Sequence, residues 1–336
     1  MSDLRLAFGC GDYDRTRALV DGTVKPEGME LDWERVDTPH ELFVRVQRGE
    51  FDVAEMSLSG LTNGIAAGNT EIVGLPVFTS RLFRHSFIFV NRDAGIDKPS
   101  DLVGRRVGVT DYTVSAAVWI RGMLQHDYDV LPSQMRWFLG GLNEPGHVVP
   151  LGTRLPDGVE IQQIPAGRAL SEMLEAGDID ALISPGVPDV VKRRSPKVRR
   201  LFESYPEIEA DYYRRTGIVP IMHVVVVRRS TYEQNPWIAR SLYEAFCEAK
   251  RLGYRTLTET GAAKVTLVWL QAHLERERQV FGEDPWPYGF EANRTTLEAL
   301  ATYVYEQGLA GRLVPAESLF APETLNLSER VAVPKL

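Results

Sequence analysis

Cysteine is scarce in this chain of 336 residues: there are two, Cys10 and Cys247, far apart and without a shared motif. They supply no disulfide framework and no zinc-type spacing. No run of residues is apolar for long enough to span a bilayer. The amino terminus, MSDLRLAFGCGDYD, puts charges where a secretory signal needs an apolar stretch, so a cytoplasmic protein with no membrane partner is expected. An excess of positive charge is also missing, since 38 Lys and Arg face 46 Asp and Glu, for a net charge of -8. Nucleic acid is therefore excluded as a partner class, and the basic run over 190–204 reads as a solvated helix face. A complete glycine fingerprint is lacking too. Gly9-Cys10-Gly11 follows a strand pattern, but the third glycine is absent and Asp12 and Asp14 would repel a pyrophosphate.

What is present is an ordinary globular composition, 44% hydrophobic and 25% charged. The length exceeds what one core usually supports, which predicts two lobes. One stretch stands out, LPVFTSRLFRHSFIFV over 75–90. Arg81, Arg84 and His85 lie between two apolar strand patterns there. Two cations and an imidazole on a connector between rigid strands suit a small anion, and a local cationic cluster in an acidic protein suits it further.

Strand and helix patterns alternate along the chain, which predicts an α/β protein with mostly parallel sheets. Helical spacing of Leu42, Phe43 and Val46 marks a helix over 40–48 that Gly49 stops. Ser57 reads as a helix cap just past a strand. The segment 135–150 resembles no regular element, and helices dominate after Pro236, over 237–252, 262–281 and 293–307. The loops at Asp12, Ser57, Arg81, Tyr112 and Ser184 all follow predicted strands. Ligands of open α/β sheets bind beyond the carboxyl ends of strands, so these loops are expected to converge on one cleft. The domain plan reads as discontinuous. One lobe takes 1–90 with 225–336, the other takes 91–224, and crossings lie near 87–91 and 224–228.

Five segments carry a family resemblance: GDYDRTRALVDGTVKPEGMEL (11–31), FDVAEMSLSG (51–60), PVFTSRLFRHSFIFVN (76–91), DLVGRRVGVTDYTVSAAVWIRGML (101–124) and RWFLGGLNEPG (136–146). Through them the chain resembles the 4,5-dihydroxyphthalate decarboxylase family, whose members are often labelled substrate-binding proteins. The resemblance implies an α/β, two-lobed type II periplasmic-binding-protein-like fold with a ligand cleft between the lobes. It implies removal of CO2 from a hydroxylated aromatic carboxylate in aromatic catabolism, with no cofactor. The alternative it allows is the substrate-binding protein of an ABC-type importer for a small aromatic carboxylate. The charged amino terminus favours the enzyme, because a receptor must cross the membrane.

Loss of CO2 from a ring requires a proton at the carbon that bears the carboxylate and a hydroxyl para to it that feeds electrons inward. His85 is the expected acid or base, with Glu55 or Asp12 as the other partner and Tyr112 orienting the hydroxyl. Arg81 and Arg84 are the expected carboxylate clamp, aided by Ser57, Ser59, Thr113 and Ser115, with Ser184 and His223 completing the substrate contacts. No metal is assigned. Asp12, Asp14, Glu55, His85 and His223 match no familiar ligand spacing, yet they leave a divalent ion open, as homo-oligomerisation is left open. If Arg81 clamps a carboxylate, a folded Arg81→Ala variant loses about 1.5–3 kcal/mol of ligand affinity by calorimetry. Unchanged affinity removes Arg81 from the clamp.

Overall fold

Alternating burial makes the first strand, β1 (Leu4–Gly9), which turns Leu6 and Phe8 inward. In the computed structural model, which describes residues 4–146 and 158–329, it is the seed of a five-stranded sheet. β2 (Met29–Glu34) pairs with it in parallel on one side, and β3 (Val53–Ser57), buried at every residue, pairs on the other. β4 (Ile72–Arg81) closes the far edge of that sheet.

A six-stranded sheet follows. It holds β5 (Ile88–Asn91), β6 (Arg106–Val109), β7 (Arg136–Leu139), β8 (Glu160–Gln163), β9 (Ala181–Ile183) and β10 (Val198–Arg200), in the order β10-β5-β9-β6-β7-β8. β11 (Ile221–Arg228) then returns to the first sheet and inserts between β3 and β4, giving β2-β1-β3-β11-β4. Both sheets are mixed. β11 runs antiparallel to β3 and β4, and β5 runs antiparallel to β9 and β10, while the remaining pairs are parallel.

Residues cluster by contact into two units. The first is Met1–Arg81, Ile221–Leu297 and Pro315–Leu336, and the second is Leu82–Pro220 with Glu298–Val314. The chain thus passes from one to the other after Arg81 and returns at Ile221, and a short segment of the carboxyl-terminal part counts with the second unit. The sequence-based plan sets these passages at 90/91 and 224/225 and gives the whole carboxyl-terminal part to the first lobe.

Local chemistry explains the elements that frame the site. The helix Pro39–Gln47 starts where the Thr38 hydroxyl accepts the Glu41 N–H, with proline at its first position, and it buries Leu42 and Val46. Gly49, at φ 73°, ends it in the left-handed conformation. Ser57 caps the helix Leu58–Ala66 by accepting the Gly60 N–H.

Two expectations differ from the structure. Arg136–Leu139 is a strand with Trp137 and Leu139 buried, and four residues are too few for alternation to be visible beside the glycines that follow. The end of that irregular stretch, 147–150, lies outside the described residues. The long penultimate helix is Leu270–Phe281 rather than 262–281, and the residues before it leave Val268 and Trp269 exposed.

The second unit carries two buried titratable groups, His85 and Glu209, linked through the residue after His85. His85 sits among the rings of Phe202, Tyr212 and Tyr128, at centroid distances of 5.3, 5.2 and 6.4 Å. Burial, with a minor contribution from Arg215, pushes its imidazole down to about 4. Next to it the Ser86 N–H donates to Glu209 Oε1 at 3.2 Å. Burial pushes the Glu209 carboxyl up to about 7, against the pull of the Ser86 N–H, Arg200 and Arg84.

A carboxyl whose pKa rises on folding stabilises the fold at low pH and loses that contribution as pH climbs through the folded value. Glu209→Gln keeps an acceptor for Ser86 and removes the charge. Its stability relative to wild type is therefore expected to grow by about 1–2 kcal/mol between pH 5.5 and pH 8. Urea midpoints at the two pH values measure this, and a gain that does not change with pH refutes it.

Candidate functional site

The registers of the first sheet build the site. His223 on β11 lies opposite Ser57, and Val225 lies opposite Glu55. Glu55 and His223 are thus diagonal neighbours on one face of an antiparallel pair, within reach of long side chains. His223 Nδ1 and Glu55 Oε1 are 2.5 Å apart. On the other flank, β1 pairs with β3 through Gly9 and Ala54, so the loop after β1 arrives beside Glu55. The Gly11 N–H donates to Glu55 Oε2 at 3.0 Å, the Tyr13 hydroxyl donates to Oε1 at 2.9 Å, and the Cys10 thiol lies 3.6 Å from Oε2.

Glu55 is 1% exposed. Burial alone would raise its carboxyl, but the hydrogen bond and charge of His223, the Gly11 N–H and the Tyr13 hydroxyl together hold it at about 2. Glu55 is thus an ionised carboxylate inside the sheet. Tyr13 and Cys10 are pushed up, first by burial and then by the Glu55 charge, so both keep their protons and stay donors. His223 packs edge-on against Phe43 at 5.0 Å and keeps 17% of its side chain exposed. With Nδ1 committed to Glu55, Nε2 is the nitrogen left for a reacting group.

A cavity of about 460 Å³ opens at the carboxyl ends of β1 and β2. Cys10, Gly11, Tyr13, Trp33, Thr38 and Glu55 are among the residues that line it. Asp12 is exposed at its edge and pairs with Arg17 at 2.7 Å.

No protein-family model matches the chain. A 4,5-dihydroxyphthalate decarboxylase of Comamonas testosteroni is 37% identical over 326 residues, covering 97% of this chain and 98% of that protein. A second enzyme of that description, from Pseudomonas putida, is 37% identical over 64% of this chain and 83% of its own length. The chain belongs to the 4,5-dihydroxyphthalate decarboxylase family. The solved structure of the periplasmic aliphatic sulphonate binding protein SsuA from Escherichia coli superposes with a TM-score of 0.54 over 97% of this chain and 100% of that one. At 12% identity this likeness speaks for the fold alone, the two-lobed periplasmic-binding-protein type.

Within this decarboxylase-family chain the expected residues separate. The first unit holds Asp12, Glu55, Ser57, Ser59, Arg81 and His223. Ser57 Oγ and Ser59 Oγ lie 3.2 Å apart at the helix start. Arg81, 6% exposed, donates to the Pro287 carbonyl at 3.1 Å. The second unit holds Arg84, His85, Tyr112, Thr113, Ser115 and Ser184. Arg84 donates to the Pro185 carbonyl at 3.1 Å, and Ser184 accepts the Gly186 N–H. Thr113 donates its N–H and hydroxyl to Asp111 Oδ1, just before Ser115 opens the helix Ser115–Tyr128.

Two of the expected roles differ from what the side chains do. Tyr112 is fully buried, with the Arg121 guanidinium 3.5 Å above its ring and Trp137 at its edge, so its hydroxyl belongs to the core and not to a ligand surface. His85 is 1% exposed, and burial among aromatic rings disfavours its charged form. Among the described residues no three His, Cys, Asp or Glu side chains are grouped to hold a metal ion.

The sequence sets Glu55 beside His223 only in a loose group of possible metal ligands and does not pair them. Sequence reasoning missed Tyr13 altogether. The strand-then-GCGDYD pattern was the available signal for Tyr13, but nothing in the sequence links positions 55 and 223.

A carboxylate whose pKa falls on folding stabilises the fold above its unfolded value and loses that contribution as pH drops. Glu55→Gln is expected to lower stability at pH 7 by on the order of 2 kcal/mol, a deficit that shrinks as pH falls from about 4.5 toward 2. Chemical denaturation across that range measures it, and a deficit that stays constant contradicts the ionised assignment.

Proposed function

We propose that this protein decarboxylates 4,5-dihydroxyphthalate or a close analogue to a 3,4-dihydroxybenzoate, using side chains alone. The observation that carries the reading is 37% identity across 97% of the chain to an enzyme named for that reaction. The pair at Glu55 and His223 gives it a mechanism.

His223 Nε2 takes the proton of the ring hydroxyl para to the departing carboxylate. Glu55 holds the Nδ1 proton and stabilises the imidazolium that forms, with the pair 2.5 Å apart. The phenolate electrons reach the carboxylate-bearing carbon, which accepts a proton drawn from solvent and leaves aromaticity. The carbon–carboxylate bond then breaks, its electron pair restores the ring, and CO2 departs. His223 returns its proton to the phenolate oxygen. One proton is consumed and one CO2 released per turnover. The acid–base work thus rests with His223 rather than with His85, whose ring lies in the aromatic core of the second unit.

The test is a mass-resolved incubation with carboxyl-labelled 4,5-dihydroxyphthalate. Labelled CO2 and a monocarboxylate should appear together. His223→Ala should keep its circular dichroism spectrum and lose about 100-fold or more in kcat, the usual scale of general-base loss. Wild-type turnover in that variant removes His223 from the mechanism. Tight binding of the diacid by wild type with no CO2 released makes the protein a receptor instead.

A further inference from the structure

The loop that follows β1 does more than leave the sheet. Tyr13 is bound at both ends of its side chain. Its hydroxyl donates to Glu55 Oε1, the same oxygen that His223 approaches. Its ring carries the Arg15 guanidinium at 4.3 Å, and the same guanidinium lies over the Trp286 ring, also at 4.3 Å. Arg15 in turn donates from Nε and Nη2 to the Thr79 carbonyl, and Trp286 Nε1 donates to the Phe78 carbonyl at 2.7 Å. Both anchors lie on β4, a strand that ends at Arg81.

The loop geometry agrees with a built position. A Cβ at Gly11 would fall 2.3 Å from the Tyr13 ring, so only glycine lets the ring lie there while the Gly11 N–H still reaches Glu55. Thr16 fixes the loop from behind by accepting the Tyr13 N–H and donating to the Gly11 carbonyl.

We propose that Tyr13 is a positioning residue for the Glu55–His223 pair, braced by Arg15, which lies over both the Tyr13 and Trp286 rings. Two donors on one carboxylate oxygen compete for its electron density. The phenol therefore fixes the rotamer of Glu55 and lowers its hold on the His223 Nδ1 proton, which sets the pH at which the pair becomes a base. The other groups that face the carboxylate are the Gly11 N–H and the protonated Cys10 thiol, on Oε2. Asp12 lines the same cavity and is paired with Arg17. Arg35 and Asp37 line it too and pair with each other at 3.4 Å. None of these groups besides Tyr13 shares Oε1 with His223.

The activity arm of the test rests on the decarboxylase reading, and the binding-free arm does not. Tyr13→Phe keeps a ring for Arg15 to stack on and removes only the donor. The titration midpoint of the pair, followed through the His223 ring signals by NMR in the unliganded protein, is expected to rise by about 0.5–1 pH unit. The acid limb of kcat/KM for CO2 release should move up with it. A merely structural role would lower activity at all pH values without moving either midpoint.

An unmoved midpoint in folded Tyr13→Phe overturns the proposal whether or not CO2 is released. A raised midpoint in a protein that never releases CO2 supports the positioning role and removes the decarboxylase reading. Should Tyr13→Phe fail to fold, Trp286→Leu removes one of the two rings that hold Arg15 without changing charge. There a smaller rise supports the proposal, and no rise overturns it.

Discussion

Glu55 carries a negative charge inside a sheet, and that charge is tolerable only because donors from separate stretches of the chain converge on it. An isolated buried carboxylate would take up a proton rather than stay ionised. Here the loop after β1 supplies the Gly11 N–H and the Tyr13 hydroxyl, and β11 supplies His223. Much of the first unit can be read as the means of holding these donors still. β1 must end beside β3, β11 must insert antiparallel next to β3, and the register must place position 223 opposite position 57. A slip of one residue in β11 would turn the histidine to the other face of the sheet.

The same logic, with the opposite sign, governs the second unit. Arg121 is fully buried on the helix Ser115–Tyr128. Its guanidinium donates to the Gln307 side chain at 2.9 Å and to the Tyr112 carbonyl at 2.6 Å, and it lies over the Tyr112 ring. Burial pushes it down to about 10, against the charges of Tyr112 and Asp111, which still leaves it cationic near neutrality. Gln307 also donates to the Val118 carbonyl, so a residue of the carboxyl-terminal segment 298–314 is built into this core. That is why this segment counts with the second unit although it is far along the chain.

How much of this was legible beforehand depends on the range of each interaction. The fold class was visible in the alternation of β1, the helical spacing of Leu42, Phe43 and Val46 and the stop at Gly49, because these are contests among neighbouring residues. The family was visible in SRLFRHS and its companion segments. The cationic loop drew attention to Arg81, Arg84 and His85, and that emphasis was local as well. A histidine between two apolar strands looks reactive when only its neighbours are known. Its ring turned out to face Phe202 and Tyr212, residues more than a hundred positions later. Tyr112 was misjudged for the same reason, since its cover comes from Trp137 and from a helix residue that folds back over it.

By itself, then, the sequence determined the alternating α/β pattern, the helix stop at Gly49, the lack of any long apolar run and the family. Each of these depends on residue type and on spacing within one or two turns or strands. Tertiary structure alone decided which titratable groups are charged and which are paired. Ionisation depends on desolvation and on donors within a few ångströms, and for Glu55 those donors sit 42, 44 and 168 positions away in the chain. Spacing along the chain carries no record of that distance until the strands are in register.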